Sequence, residues 1–170
     1  MALNQALLRR ARKVRMVIMD VDGVLTDAGM YYSESGEELK KFNTRDGHGI
    51  TLLHSAGIKT AFVTRERTPI VTRRAAKLGV TEVHQGTLDK LPVVKGILEK
   101  HGISPAEACY IADDVGDLEP MGCVGFAAAV ADALPEIKKV AHYVTRKKGG
   151  EGAVREVCDL ILSSRKKGRR

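Results

Sequence analysis

The chain contains no tryptophan, and four Tyr and three Phe make up only 4% of its 170 residues. Single-stranded nucleic acid is gripped by aromatic faces interleaved with basic groups, and neither basic end of this chain carries an aromatic residue or a known binding motif. No nucleic-acid partner is expected. Three cysteines, Cys109, Cys123 and Cys158, are odd in number and scattered, without the C-x-x-C spacing of a zinc site or redox pair. They read as small buried apolar side chains of a reducing compartment. Long apolar runs are also missing: Val124 to Ala131 falls far short of the roughly 20 residues that cross a bilayer, so no membrane span is expected. The 17 Gly and 5 Pro show no period, which excludes collagen-like and low-complexity readings. Residues 1–13 lack the apolar core and small-residue cleavage site of a secretory signal, and the expected location is cytoplasmic.

What is present fits one globular domain spanning 1–170, with 44% hydrophobic and 29% charged residues. At this length about 70% of the unfolded surface can be buried, so no disulfide or structural metal is required. The net charge of +7 is concentrated at the ends. Residues 1–13 carry +4 and residues 165–170 carry +5, leaving a mildly acidic body; both ends read as solvated basic tails around a core at 14–163.

Apolar periodicity divides that core into buried-strand runs at Val14–Met19, Ile58–Val63, Ala108–Ala112 and Val124–Val130, with shorter ones at Thr81–His84 and His142–Thr145. Helical patterns lie between them: Gly47–Ala56, Pro69–Leu78 behind an N-cap at Thr68, Leu91–His101 closed by Gly102, and Pro135–Val140. Strands alternating with helices run parallel through right-handed crossovers, which predicts an α/β fold with a three-layer, doubly wound, Rossmann-like parallel sheet. Ligands of such sheets bind beyond the carboxyl ends of the strands. One segment, 29–42, breaks the alternation and reads as an inserted β-hairpin around Glu34-Ser35-Gly36. An isolated hairpin is marginal in water, and Met30, Tyr31, Leu39 and Phe42 need cover, which predicts self-association through it.

The first strand ends in Asp20-Val21-Asp22-Gly23. Two carboxylates at i and i+2 of an extended segment share one side, and Gly23 lets the backbone turn close to whatever they face. A second cluster, Asp113-Asp114-Val115-Gly116-Asp117, follows another core strand, so a parallel sheet brings both to one rim. Carboxylates crowded together repel, and a hard divalent cation relieves that repulsion; the scarcity of nearby His and Cys favours Mg2+ over zinc.

The stretch DVDGVLTD, Thr64 at the end of the next core strand, Lys90 opening a later helix and the turn ADDVGD resemble, in order, the four motifs of the haloacid dehalogenase superfamily of phosphatases. Absence of a large cap domain, together with YYSESGEELKKFNTRDGHGI and KKGGEGAVREVCDLIL, is similar to the 3-deoxy-D-manno-octulosonate 8-phosphate phosphatases and the related nonulosonate (KDN or sialic acid) 9-phosphate phosphatases. The resemblance spans about residues 14–163 and implies a Mg2+-dependent phosphomonoesterase acting on the terminal phosphate of a 2-keto-3-deoxy sugar acid. It implies catalytic roles for Asp20 as nucleophile, Asp22 as general acid and base, and Thr64 and Lys90 as holders of the phosphoryl oxygens. The implied metal ligands are the Asp20 carboxylate, the Asp22 carbonyl and Asp113, with Asp114 and Asp117 behind them.

For the substrate, the resemblance implies Arg45 and Asp46 on the hairpin side, and Arg146, Gly149, Gly150 and Arg155 on a C-terminal arm reaching a neighbouring subunit of a homotetramer. The second motif departs from the usual Thr-Gly-Arg: here it reads Thr64-Arg65-Glu66. Glu66 with Lys77 matches the nine-carbon branch, and Arg65 fits neither. A non-catalytic tetramerising domain of the same fold, associated with sialic acid activation, is the rival reading, opposed by the retention of Asp20, Asp22, Lys90 and Asp113.

Overall fold

The computed structural model describes residues 4–166. The predicted sheet is there: six parallel strands in the order β5-β4-β1-β6-β7-β8. They comprise β1 (Met16–Met19), β4 (Lys59–Val63), β5 (Glu82–His84), β6 (Ala108–Ala112), β7 (Phe126–Ala129) and β8 (Tyr143–Val144). Strands β1, β6 and β7 are buried along their whole length, which is why their sequences are continuous apolar runs rather than alternating ones. The outlying pair, β2 (Tyr31–Ser33) and β3 (Gly36–Leu39), forms the antiparallel hairpin.

Strand order reverses at β1, which lies between β4 and β6 with Met19 in register with both Phe62 and Ile111. The chain leaves β1, β4 and β6 at Asp20, Thr64 and Asp113, so these residues fall side by side at the switch point of the sheet.

Helices cover both faces. They are α1 (Gln5–Lys13), α2 (Thr44–Ser55), α3 (Pro69–Leu78), α4 (Lys90–Lys100), α5 (Leu118–Cys123), α6 (Pro135–Val140) and α7 (Ala153–Lys166). Local chemistry sets their ends. Thr68 Oγ1 accepts from Ile70 N at 3.3 Å with Pro69 at the first helical position, and Gly79 closes α3 at φ +72°. Helix α2 begins three residues earlier than the apolar pattern indicates, because Asn43 Oδ1 accepts from Arg45 N at 2.8 Å and caps it there.

The N-terminal basic segment is not a solvated tail. From Gln5 it is a helix with Leu8 and Ala11 buried, packed on α7. Its cations have specific work: Arg10 Nη1 donates to the Gly125 carbonyl at 2.8 Å, and Arg12 Nε donates to the Ser164 carbonyl at 3.0 Å. The second bond satisfies an orphan carbonyl in the last turn of α7, where a positive charge also complements the helix dipole. Arg165 in turn donates to the Val14 carbonyl. The core therefore runs beyond 14–163 at both ends, and residues 167–170 of the expected C-terminal tail lie outside the described residues. Among the described residues, no helix is long and apolar enough to cross a membrane.

Candidate active site

Asp20, Asp113 and Asp117 offer carboxylate oxygens that all lie within 4.8 Å of one another at the carboxyl rim of the sheet. Lys90, at the start of α4, enters this cluster almost fully buried, with Nζ 3.0 Å from Asp20 Oδ2 and 2.6 Å from Asp117 Oδ1. Tyr110 of β6 donates its hydroxyl to the same Asp117 oxygen at 2.7 Å. That oxygen is committed, whereas Asp117 Oδ2 and Asp113 Oδ1 are buried with no hydrogen-bond partner among the described residues.

Three carboxylates share one lysine here, and the imbalance appears in their proton affinities. Burial, then the charge of Asp117, pushes Asp20 up to about 8 despite Lys90. Burial, then Asp117 and Asp114, pushes Asp113 up to about 7. Burial alone would lower Lys90, but Asp20 and Asp117 outweigh it and hold the ammonium above its ordinary value. Three ionised carboxylates and one ammonium leave this pocket two positive charges short of neutral, and it fits a divalent cation on oxygen ligands.

Asp22 stands beside this cluster. Its Oδ2 accepts from Thr64 Oγ1 at 3.2 Å, and its Oδ1 accepts from Lys40 Nζ at 2.7 Å. Lys40 comes from the end of the hairpin and its side chain is wholly buried. The turn after Asp22 packs against Asp113 and requires glycine: Gly23 has φ +82°, and a Cβ there would stand 1.9 Å from Asp113 Oδ2.

The remaining expected site residues divide. Arg45 and Glu66 are exposed, with the Glu66 backbone N–H donating to Thr64 Oγ1 at 3.3 Å. Arg65 lays its guanidinium on the acidic turn, about where a side chain at Gly116 would stand. Asp114 turns outward and caps Val115 N at 2.6 Å. Lys77 is exposed in the last turn of α3, about 12 Å along the helix axis from its N-terminal end.

Asp46 does not line the rim. It is 1% exposed and accepts from Arg155 N at 2.7 Å and Gly152 N at 3.2 Å, serving as the start cap of α7. Arg155 pairs with Asp159 at 2.9 Å on the same helix instead of facing the site. Gly149 and Gly150 lie on their own chain: Cβ atoms there would meet Gly23 O at 1.8 Å and Asp27 N at 2.5 Å. Gly149 N donates to Asp132 Oδ1 at 3.0 Å, Gly150 N to Val24 O at 3.1 Å, and Asn43 Nδ2 to Gly150 O at 3.2 Å. Within the chain, Gly149 and Gly150 thus clamp the loop that carries Asp22. Arg146 projects into solvent, its backbone N–H and that of Lys147 held by the Glu156 carboxylate.

Lys40, Tyr110 and Asp132 were not legible as site residues in the sequence. Lys40 is one of two adjacent lysines, Tyr110 sits inside an apolar run, and Asp132 follows a strand with no motif around it.

A family profile described as haloacid dehalogenase-like hydrolase matches residues 57–157. The 3-deoxy-D-manno-octulosonate 8-phosphate phosphatase of Yersinia pestis is 47% identical over 160 residues, covering 94% of this chain and 86% of the relative. Its counterpart in Escherichia coli K12 is 46% identical over 153 residues, covering 90% and 81%. A 1.95 Å crystal structure of the Yersinia pestis enzyme superposes with a TM-score of 0.94 at 46% identity, over 96% of this chain and 88% of the other. The Moraxella catarrhalis 3-deoxy-D-manno-octulosonate 8-phosphate phosphatase, solved with magnesium ion, phosphate ion and KDO, superposes at 0.92 with 38% identity, over 94% and 92%. With the four motifs gathered at one rim and matches of this extent, the chain belongs to the haloacid dehalogenase-like hydrolases, in the capless 3-deoxy-D-manno-octulosonate 8-phosphate phosphatase family.

Proposed function

We propose that this phosphatase removes the terminal phosphate of 3-deoxy-D-manno-octulosonate 8-phosphate in a Mg2+-dependent reaction that passes through a phosphoenzyme on Asp20. The observation that carries this reading is the buried Asp20-Lys90-Asp117 ion-paired group beside Asp113, in which Asp117 Oδ2 and Asp113 Oδ1 have no partner among the described residues. Those oxygens fit a hard cation. The Asp20 and Asp113 carboxylates and the Asp22 carbonyl would hold it, where it supplies positive charge to offset the phosphoryl oxygens.

The Asp20 carboxylate attacks phosphorus, forming the acyl phosphate as the bond from phosphorus to the sugar oxygen breaks. The departing oxygen takes the Asp22 proton, and Asp22 then deprotonates the water that cleaves the acyl phosphate. Lys90 is locked between two carboxylates, so its charge is already in place when the phosphoryl group arrives. Asp117 holds Lys90, and Tyr110 holds Asp117.

The eight-carbon substrate is supported by the names of the Yersinia pestis and Escherichia coli relatives. The nine-carbon alternative draws on Glu66, just before the Thr68-capped helix, together with Lys77 in that helix's last turn. The hairpin exposes Tyr32 at 65%, Leu39 at 62%, Tyr31 at 49% and Met30 at 42%, which supports burial against further copies in a homotetramer. Free thiols at Cys109, Cys123 and Cys158 are compatible with the reducing cytoplasm.

The test is phosphate release from octulosonate 8-phosphate and KDN 9-phosphate, each with Mg2+ and after EDTA. The expected result is EDTA-sensitive turnover with kcat/KM at least about tenfold higher on the eight-carbon substrate. The reverse preference would assign the chain to the nine-carbon branch, and a folded protein that releases nothing would support the non-catalytic rival.

A further inference from the structure

Asp22 has two anchors of different character. Thr64 Oγ1 reaches Oδ2 at 3.2 Å from the end of β4, and Lys40 Nζ reaches Oδ1 at 2.7 Å from the hairpin. Thr64 is also the hydroxyl that the proposed reaction uses on the phosphoryl group. It cannot donate its one hydrogen to both. If the Thr64 hydroxyl serves a phosphoryl oxygen, as the proposed reaction requires, it gives up Asp22, and Lys40 is the anchor that remains.

Lys40 is built to stay. Its side chain has no solvent exposure, and its ammonium is also 2.7 Å from Glu37 Oε1, three residues back on the hairpin. An ammonium gripping Oδ1 fixes the carboxyl plane and leaves Oδ2 on the Thr64 side, where the proposed reaction puts the phosphoryl group. Lys41, the next residue, faces the opposite way and pairs with Asp27 on the exposed side at 3.2 Å.

We propose that Lys40, held by Glu37, is a positioning residue that aims Asp22 Oδ2 at the leaving oxygen, so that the hairpin supplies the orientation of the acid and base. This rests on the reading of Asp20 and Asp22 given above. The step itself is unchanged: as the phosphorus to sugar-oxygen bond breaks, its electron pair goes to oxygen, which takes the Oδ2 proton. Lys40 acts through Asp22, its ammonium being engaged by Asp22 and Glu37.

Proton donation matters most when the leaving group is a poor one. A sugar alkoxide needs it, whereas p-nitrophenolate departs largely without help. Lys40→Met keeps the apolar stem of the side chain and removes the ammonium. It is expected to lower kcat on octulosonate 8-phosphate by about 30- to 100-fold, at KM within about threefold, and to cost p-nitrophenyl phosphate turnover less than about fivefold. Lys40→Arg is expected to recover at least about a third of the lost kcat ratio between the two substrates, since it restores a cation at the same reach. Equal losses on both substrates in a protein with unchanged circular dichroism and Tm would overturn the proposal, as would no loss on either. Asp20→Asn, run alongside, separates the two claims: if it still turns over either substrate, the underlying site reading fails whatever Lys40 does.

Discussion

The crowding of carboxylates at the rim makes a measurable demand on the metal-free protein. Asp20 and Asp113 have folded values of about 8 and about 7 against 3.8 for the ordinary side chain. Above that ordinary value the unfolded chain has both groups ionised while the folded chain keeps its protons, so the folded state binds more protons and loses stability as pH rises toward 8. His54 and His142 act the other way, since burial lowers both, but their contribution fades as pH rises past their ordinary value of 6.5. Between about pH 6.5 and 7.5 the carboxyls therefore dominate the slope. Over that window they hold on average somewhat more than one extra proton in the folded state, a loss of about 2 kcal/mol. For a domain of this size that lowers Tm by about 4 to 8 °C. The assay is differential scanning calorimetry of EDTA-treated protein across this window, repeated with saturating Mg2+. Bound metal keeps its ligands ionised and binds only the folded state, so the slope should flatten and the Mg2+ increment in Tm should grow with pH. Asp113→Asn removes one of the two titrating groups and should shrink the metal-free slope. A metal-free Tm that is flat or rises from about pH 6.5 to 7.5 would refute the reasoning.

Two further outcomes follow from particular contacts. Gly23→Ala sets a Cβ 1.9 Å from Asp113 Oδ2 at a φ of +82°, so one of the two must move; turnover should fall more than about 100-fold and the midpoint of Mg2+ activation should rise, while the circular dichroism spectrum stays native. Arg12→Met removes the donor to the Ser164 carbonyl and should lower stability in urea by about 1 kcal/mol, whereas a solvated tail would show no change.

The sheet was legible because a strand buried on both faces must be written in apolar residues, and Val14–Met19 and Ala108–Ala112 are. The polar residues of the site were legible for the same reason: Asp20, Thr64 and Asp113 each come first after a buried strand, and Lys90 opens a helix. What stayed hidden depends on contacts between distant segments. Lys40 and Lys41 are indistinguishable until hairpin register sends one inward to Asp22 and the other outward to Asp27. Asp46 reads like a rim carboxylate, but it spans 106 residues to cap α7 through Gly152. Arg10 and Arg12 read as tail charges because their acceptors are backbone carbonyls, which no sequence pattern marks.

The central claim is that Asp20 itself carries the phosphoryl group during turnover. The most direct measurement is acid quenching of a single turnover of octulosonate 8-phosphate within milliseconds, followed by mass spectrometry of the peptide containing Asp20. The account predicts a phosphorylated Asp20 that forms and decays at rates consistent with kcat, requires Mg2+ and is absent in Asp20→Asn. Full-rate turnover with no phosphoenzyme at any time, or turnover that survives in Asp20→Asn, would contradict it.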